Sequence, residues 1–247
     1  MLVVLFLYNA GDRNNIKIGG YLLRKKIFII IMVLLLSFQS VCSAAELSKY
    51  LNGRSVNVTE DKDSIDIYAL VSFVGDEKDD YVPNTSITYS EAFMIGVKYV
   101  WSGVYDGKCV NVHIEEVEDN TTVQKVRVLF DSVTGQYNFS HAQKAPPTIW
   151  MYTGDGRAGI DHVYDYNGIL YVSGHEFGHI LGLGDAYADH NEKVKKYLKS
   201  PMNGWDWRQA TDADYYIMLK HNTWLHGNLF IYSTDRELMK QYLPIED

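Results

Sequence analysis

Two histidines four residues apart, with a glutamate directly after the first, are the residues of this sequence best suited to chemistry. They lie in the segment Ile169–Leu183, which reads ILYVSGHEFGHILGL. Its apolar content and lack of proline predict a helix. His175 and His179 would then lie one turn apart on one face, where both imidazoles can reach a single metal ion. Glu176 would stand beside that ion, able to contact its water without being a ligand.

A third ligand can follow the helix. Zinc in a catalytic site usually has three protein ligands and an open position for water. Gly182 can end the helix and turn the chain, after which Asp185 can return as the third donor. For this composition, a chance His-Glu-x-x-His string with Gly at the position of Gly182 and Asp or His at that of Asp185 occurs on the order of once in ten thousand shuffles.

The rest of the chain must fold into elements that hold this helix. Alternating or β-branched segments predict strands, and capped segments with apolar residues at helical spacing predict helices. The predicted strands are Ser64–Phe73, Val110–Val117, Val123–Phe130 and Thr148–Tyr152, and the further predicted helices are Ser90–Val100 and Thr211–Leu219. This order favours an α+β fold with a twisted mixed sheet. Cys109 precedes the second of these strands and is interpreted as core filler.

The N-terminus has the layout of a secretory signal peptide. A basic cluster, Arg24–Lys26, precedes the apolar run Ile27–Phe38 and a zone of small residues. We therefore predict a signal peptide over residues 1–44, with residues 1–22 interpreted as an over-extended start. An uncleaved membrane anchor over residues 27–45 is the alternative, although the uninterrupted run is shorter than the roughly 20 residues that span a bilayer. No repeat or linker interrupts the remainder, so residues 45–247 are predicted to form one domain.

The charge balance limits the class of partner. The chain has 23 Lys and Arg residues against 31 Asp and Glu residues, a net charge of -8. Cleavage near Ala44 would remove five of the basic and one of the acidic residues, which gives -12. An acidic protein is unsuited to nucleic acid, because binding phosphates needs a basic surface. We expect no stable membrane partner after signal cleavage. A protein or peptide substrate remains, and the oligomeric state stays open.

The string His175–Asp185 resembles the signature of the metzincin zinc peptidases, in the snapalysin-like variant with Asp as third zinc ligand. The resemblance implies a zincin-like α+β fold: a twisted mixed sheet, a zinc-binding helix as the floor of a cleft, and a smaller C-terminal lobe, so that residues 45–247 are bilobal. It also implies a methionine-containing turn beneath the metal, for which Met202 is the match. Asp189 and His190 remain alternative third ligands, although their spacing fits the signature less well.

The implied activity is that of a secreted zinc-dependent endopeptidase. Glu176 would act as general base for a metal-activated water, while His175, His179 and Asp185 hold Zn²⁺. A cleft-lining edge strand that pairs with extended substrate is expected at residues 160–164. Tyr187 or Tyr215 could donate a second hydrogen bond to the oxyanion, but packing is the simpler interpretation of either.

Several points stay open at this stage. Two rival functions are a catalytically inactive binding module of zincin-like fold and a toxin-like zinc hydrolase with a single protein target. A calcium ion at Asp155 and Asp161 is possible in principle, although the spacing lacks the full calcium-loop pattern. Lys193, Lys195, Lys196 and Lys199 could attract an acidic substrate residue, but such a run is more often a solvated helix face. No substrate-binding residue can be assigned.

Overall fold

A mixed β-sheet forms the centre of the fold. The computed structural model describes residues 44–131, 140–153, 165–204, 208–221 and 229–243. The predicted signal peptide therefore lies outside the described residues, except for its last residue. The candidate cleft strand at residues 160–164 and the candidate calcium ligands Asp155 and Asp161 also lie outside them.

Seven strands make up this sheet in the described part of the chain. They are β1 (Val56–Glu60), β2 (Ser64–Val74), β3 (Gly103–Tyr105), β4 (Lys108–Glu116), β5 (Val126–Asp131), β6 (His141–Lys144) and β7 (Pro147–Tyr152). The order is β3-β4-β2-β5-β7-β6, and β1 pairs with β2. Strands β2, β4, β5 and β7 are mutually parallel, whereas β1, β3 and β6 run antiparallel to their neighbours. The sheet is therefore mixed, and the antiparallel β3 and β6 form its two ends.

The described residues form six α-helices, three of which match the predicted ones. They are α1 (Ala44–Leu47), α2 (Tyr89–Trp101), α3 (Tyr166–Ile180), α4 (Glu192–Tyr197), α5 (Asp212–His221) and α6 (Arg236–Tyr242). Thr88 begins α2 with a reciprocal capping box, in which its side chain accepts from the amide of Glu91 and the Glu91 carboxylate accepts from the amide of Thr88. Helix α2 connects the parallel strands β2 and β4, as such pairs require.

Two glycines let α2 and α3 pack at unusually short range. A Cβ on Gly96 of α2 would lie 2.5 Å from the carbonyl oxygen of Leu170, and one on Gly174 of α3 would lie 2.2 Å from a methyl carbon of Val100. The indole nitrogen of Trp101 also donates to the carbonyl of Gly174 at 2.8 Å. Because α3 carries His175 and His179, this contact fixes two of the predicted metal ligands relative to the core.

The α+β class with a mixed, twisted sheet is confirmed, and the four predicted strands appear as β2, β4, β5 and β7 with small shifts at their ends. The short strands β1, β3 and β6 were not predicted. The interpretation of Cys109 as core filler is wrong, because that residue is exposed. Alternation along β4 turns Val110, Val112 and Ile114 toward the core and Cys109 toward the opposite face of the sheet.

The described residues all belong to one compact unit, Ser43–Asp247. One hydrophobic core runs through it, from the sheet to the C-terminal helices. Within the described ranges, no helix has the length and apolar character needed to cross a membrane.

Candidate metal centre

Helix α3 begins three residues before the predicted start. Asp165 precedes it and accepts a hydrogen bond from the amide of Gly168 at 2.6 Å, which satisfies one of the amides left open at the first turn. From Ile169 to Ile180 every residue of the helix is buried. His175, Glu176 and His179 therefore lie in the interior, where a charged or polar group needs a partner.

Backbone carbonyls orient both histidines. His175 Nδ1 lies 3.0 Å from the carbonyl oxygen of Pro201, and His179 Nδ1 lies 2.9 Å from that of Leu183. A carbonyl can only accept, so each Nδ1 carries the proton in these bonds. The neutral tautomer then presents the lone pair of Nε2. This is the arrangement of metal-binding histidines, whose second nitrogen is held by an outer partner.

The end of α3 turns the chain toward the histidines. Gly182 has a φ of 103°, and its amide bonds the carbonyl of His179 while the amide of Leu183 bonds that of Gly178. These two bonds form a Schellman motif, in which the left-handed residue is normally glycine. The motif also places the Leu183 carbonyl against His179. The same turn therefore ends the helix, as predicted, and orients a proposed ligand.

Asp185 meets the two histidines directly after this turn. Its Oδ1 lies 3.2 Å from His175 Nε2 and 3.3 Å from His179 Nε2. Donor atoms of a tetrahedral site with bonds of about 2.0 Å are separated by about 3.3 Å. Oδ1 is buried and has no hydrogen-bond partner among the described residues, and both distances exceed the 2.7–2.9 Å usual for charge-assisted hydrogen bonds. The three side chains form a group that can hold a metal ion.

The electrostatics of the group favour an ionised Asp185. Burial opposes its ionisation, but His175 and His179 outweigh that cost when their Nε2 atoms carry a proton, and they then hold the pKa of the carboxyl well below its usual value. A metal ion in the same place supplies that positive charge itself and leaves both Nε2 lone pairs free to bind it. A deprotonated carboxylate beside two neutral imidazole nitrogens is a donor set that zinc accepts. The residues present therefore fit a bound zinc ion.

Met202 lies in a single turn of 3₁₀ helix, Pro201–Asn203. Its side chain is fully buried. It occupies the space beside Gly178, where an added Cβ would lie 2.4 Å from the sulfur. The sulfur thus packs against Gly178, the residue before His179.

The alternative ligands have other roles. Asp189 is buried and accepts from two backbone amides, with Oδ1 bound to Asn191 at 2.8 Å and Oδ2 to Ser233 at 2.9 Å. His190 is exposed and does not belong to the group that can hold a metal ion. Among the three candidates, Asp185 alone is brought to the histidines.

The two tyrosines considered for the oxyanion occupy different environments. Tyr215 is buried in the core, where its hydroxyl donates to the carbonyl of Trp101 at 3.2 Å, so packing is its observed role. Tyr187 is exposed, and its ring stacks beside that of His175 with a centroid separation of 6.2 Å. Tyr187 therefore remains near the candidate centre, whereas Tyr215 does not face it.

Sequence reasoning missed the groups that hold the ligands. The carbonyls of Pro201 and Leu183 belong to the backbone, so no side-chain type in the sequence indicates their role. A weak signal did exist for Ser200, because Ser before Pro often begins a helical turn, and Ser200 does begin the turn that contains Met202.

The comparisons with known proteins found no relative of this chain. No family model, no curated protein and no solved structure matches the chain. The functional argument therefore depends on the residues and geometry of the site.

Proposed function

We propose that this chain is a zinc-dependent endopeptidase with a zincin-like fold of the metzincin type. The observation that carries the proposal is the spacing of Asp185 Oδ1 from the Nε2 atoms of His175 and His179, 3.2 and 3.3 Å, within a His-Glu-x-x-His helix. The methionine turn under that helix supports the same assignment.

The sheet supports a peptide as substrate. Strand β6 is the last strand in the described order and runs antiparallel to β7. Helix α3 packs against both strands. An edge strand beside the metal-binding helix can add an extended peptide as a further strand. We therefore propose β6 as a substrate-pairing edge among the described strands, and the strand expected at residues 160–164 stays a prediction.

The residues of the site divide into two roles. His175, His179 and Asp185 would hold zinc, which when bound supplies a Lewis acid that polarises a peptide carbonyl and acidifies water. Glu176 is buried directly after His175. Its carboxylate would accept the proton of the attacking water and pass it to the leaving amine.

Action outside the cytoplasm is part of this proposal. It depends on the basic cluster and apolar run of residues 24–38. A binding module that has lost catalysis is the main rival, and an enzyme with one protein target is the other. The presence of Glu176, the proposed general base, disfavours the binding module, because a protein without catalysis does not need that base.

Cleavage of a peptide library by purified protein, with and without chelator, tests the activity. We expect chelator-sensitive cleavage restored by zinc. Glu176→Gln keeps the shape of the side chain but removes the base, so it should lower the rate by about 10²–10⁴-fold with zinc still bound at one equivalent.

A matched control is Glu192→Gln, which makes the same change at an exposed position of α4 and should leave cleavage unchanged. Zinc bound at one equivalent without cleavage of any peptide would overturn the peptidase proposal in favour of the binding module. Cleavage confined to one protein would indicate the single-target enzyme.

A further inference from the structure

The turn Pro201–Met202 touches all three proposed ligands or their immediate neighbours. The Pro201 carbonyl accepts from His175 Nδ1 at 3.0 Å. The Met202 sulfur packs against Gly178, the residue before His179. The Met202 carbonyl accepts from the amide of Ala186, the residue after Asp185, at 2.8 Å. The position of this turn therefore sets the relative position of the ligands.

One hydroxyl connects this turn to the interior. Ser200 Oγ accepts from the amide of Met202 at 2.9 Å and donates to Asp214 Oδ1 at 2.6 Å. Ser200 is 1% exposed, so water does not replace either bond. The bond to the carboxylate is short, as is usual when the acceptor is charged.

Asp214 is fully buried at the start of α5. Its Oδ1 also accepts from the Tyr232 hydroxyl at 3.1 Å, and its Oδ2 accepts from the amide and the hydroxyl of Thr211, both at 2.8 Å. A buried carboxylate is costly unless it is fully hydrogen-bonded. These four bonds satisfy it and fix its place in the fold, so it can serve as a rigid support for Ser200.

We propose that Asp214 is a positioning residue of the metal centre, which acts through Ser200 on the Pro201–Met202 turn and so fixes the geometry of the three ligands. This inference rests on the proposed zinc site. Asp214 bonds to Ser200, Thr211 and Tyr232, and its influence on the turn passes through the Ser200 hydroxyl, which can be removed separately.

The test uses Ser200→Ala with Thr211→Val as its matched control. Each variant removes one hydroxyl donor from the Asp214 carboxylate, but only the first cuts the connection to the turn. The probes are Zn²⁺ affinity and the visible spectrum of bound Co²⁺, which reports ligand geometry, at a temperature where circular dichroism shows every protein folded. Ser200→Ala should weaken zinc binding about tenfold or more, as loss of an outer-shell partner does, and should alter the cobalt spectrum.

Thr211→Val should lower the melting temperature without changing the cobalt spectrum or the zinc affinity. Asp214→Asn offers a second variant, expected to behave like Ser200→Ala if it folds. Equal cobalt spectra and affinities for wild type and Ser200→Ala would overturn the inference while leaving the zinc site intact. A wild-type protein that binds neither Zn²⁺ nor Co²⁺ would overturn the proposed metal centre and this inference together.

Discussion

Each histidine of the candidate centre is held by a backbone carbonyl and not by a carboxylate. His175 uses Pro201, and His179 uses Leu183. A substitution cannot delete a carbonyl, so these contacts are altered only through residues that shape the backbone. Asp185 differs, because its own side chain meets both imidazoles. At the residue scale it is the position where one substitution removes a proposed ligand and leaves the helix unchanged.

The first prediction compares Asp185→Ala with Asp189→Asn. Loss of the third ligand should weaken zinc binding by more than the 10–100-fold typical of an outer-shell change. Asp189→Asn removes one charged acceptor of backbone amides, so it should cost about 1.5–3 kcal/mol of unfolding free energy with a much smaller loss of zinc affinity. Competition titration with a chromophoric chelator measures the affinity, and full zinc affinity in Asp185→Ala would move the third ligand to Asp189 or His190.

At the scale of elements, prediction succeeded where a pattern was long. Strand β2 buries every second residue from Ser64 to Ala69 and every residue from Ala69 to Phe73, and its 11 residues made it visible in the sequence. Strands β1, β3 and β6 have only 5, 3 and 4 residues, too few for a period to be detected. The spacing of His175 and His179 is local and was predictable. The Leu183 carbonyl is placed by the local turn at Gly182, whereas the Pro201 carbonyl comes from a turn whose position depends on tertiary contacts.

The second prediction concerns the turn that ends α3. Gly182→Ala places a side chain at a φ of 103°, which should cost about 1–3 kcal/mol and displace the Leu183 carbonyl from His179. Zinc affinity should therefore fall together with stability. Gly107→Ala is the control, because Gly107 also has a positive φ, 76°, and open space around its Cβ position. It should lower stability alone, and an equal loss of zinc affinity in both variants would contradict the coupling of the turn to His179. Urea unfolding and zinc titration measure the two effects.

At the scale of the whole molecule, residues 229–238 connect the ligand loop to the C-terminal helices. Phe230 exchanges backbone hydrogen bonds with Gly182 and Gly184 at 2.9 and 3.0 Å. The amide of Ser233 donates to Asp189. Asp235 caps α6 and meets His221 of α5 at 2.6 Å. No local sequence pattern predicts these contacts, because the two residues of each pair lie 14 to 48 positions apart in the chain.

The third prediction uses Asp235. Burial opposes its ionisation, but amide bonds from Leu238 and Glu237 and the side chains of His221 and Lys220 outweigh it and hold the pKa of the carboxyl well below its usual value. A folded-state pKa below the unfolded value of about 3.9 gives stability that is present above that pH and lost as the pH falls through the folded-state value. Asp235→Asn should therefore lower the unfolding free energy by about 1.5–3 kcal/mol at pH 7, and by progressively less below about pH 4.

Urea unfolding at pH 7 and at pH 3 measures this difference between wild type and variant. Glu237→Gln is the control, because Glu237 lies in the same helix with a largely exposed side chain paired to Lys240. Its effect should be within about 0.5 kcal/mol at either pH. A loss in Asp235→Asn that stays constant with pH would show that Asp235 stabilises the fold without its charge.

The pairing of Phe230 with Gly182 and Gly184 also determines the order in which parts of the site can form while the chain is synthesised. The ribosome makes His175, His179 and Asp185 about 45 or more residues before Phe230 and Ser233. Until those later residues emerge, the loop that carries Asp185 lacks both its backbone partner and the amide that binds Asp189. A nascent chain can therefore form the histidine helix early but can fix Asp185, the proposed third ligand, only late, so a chain interrupted before Phe230 should be released without a complete candidate metal centre.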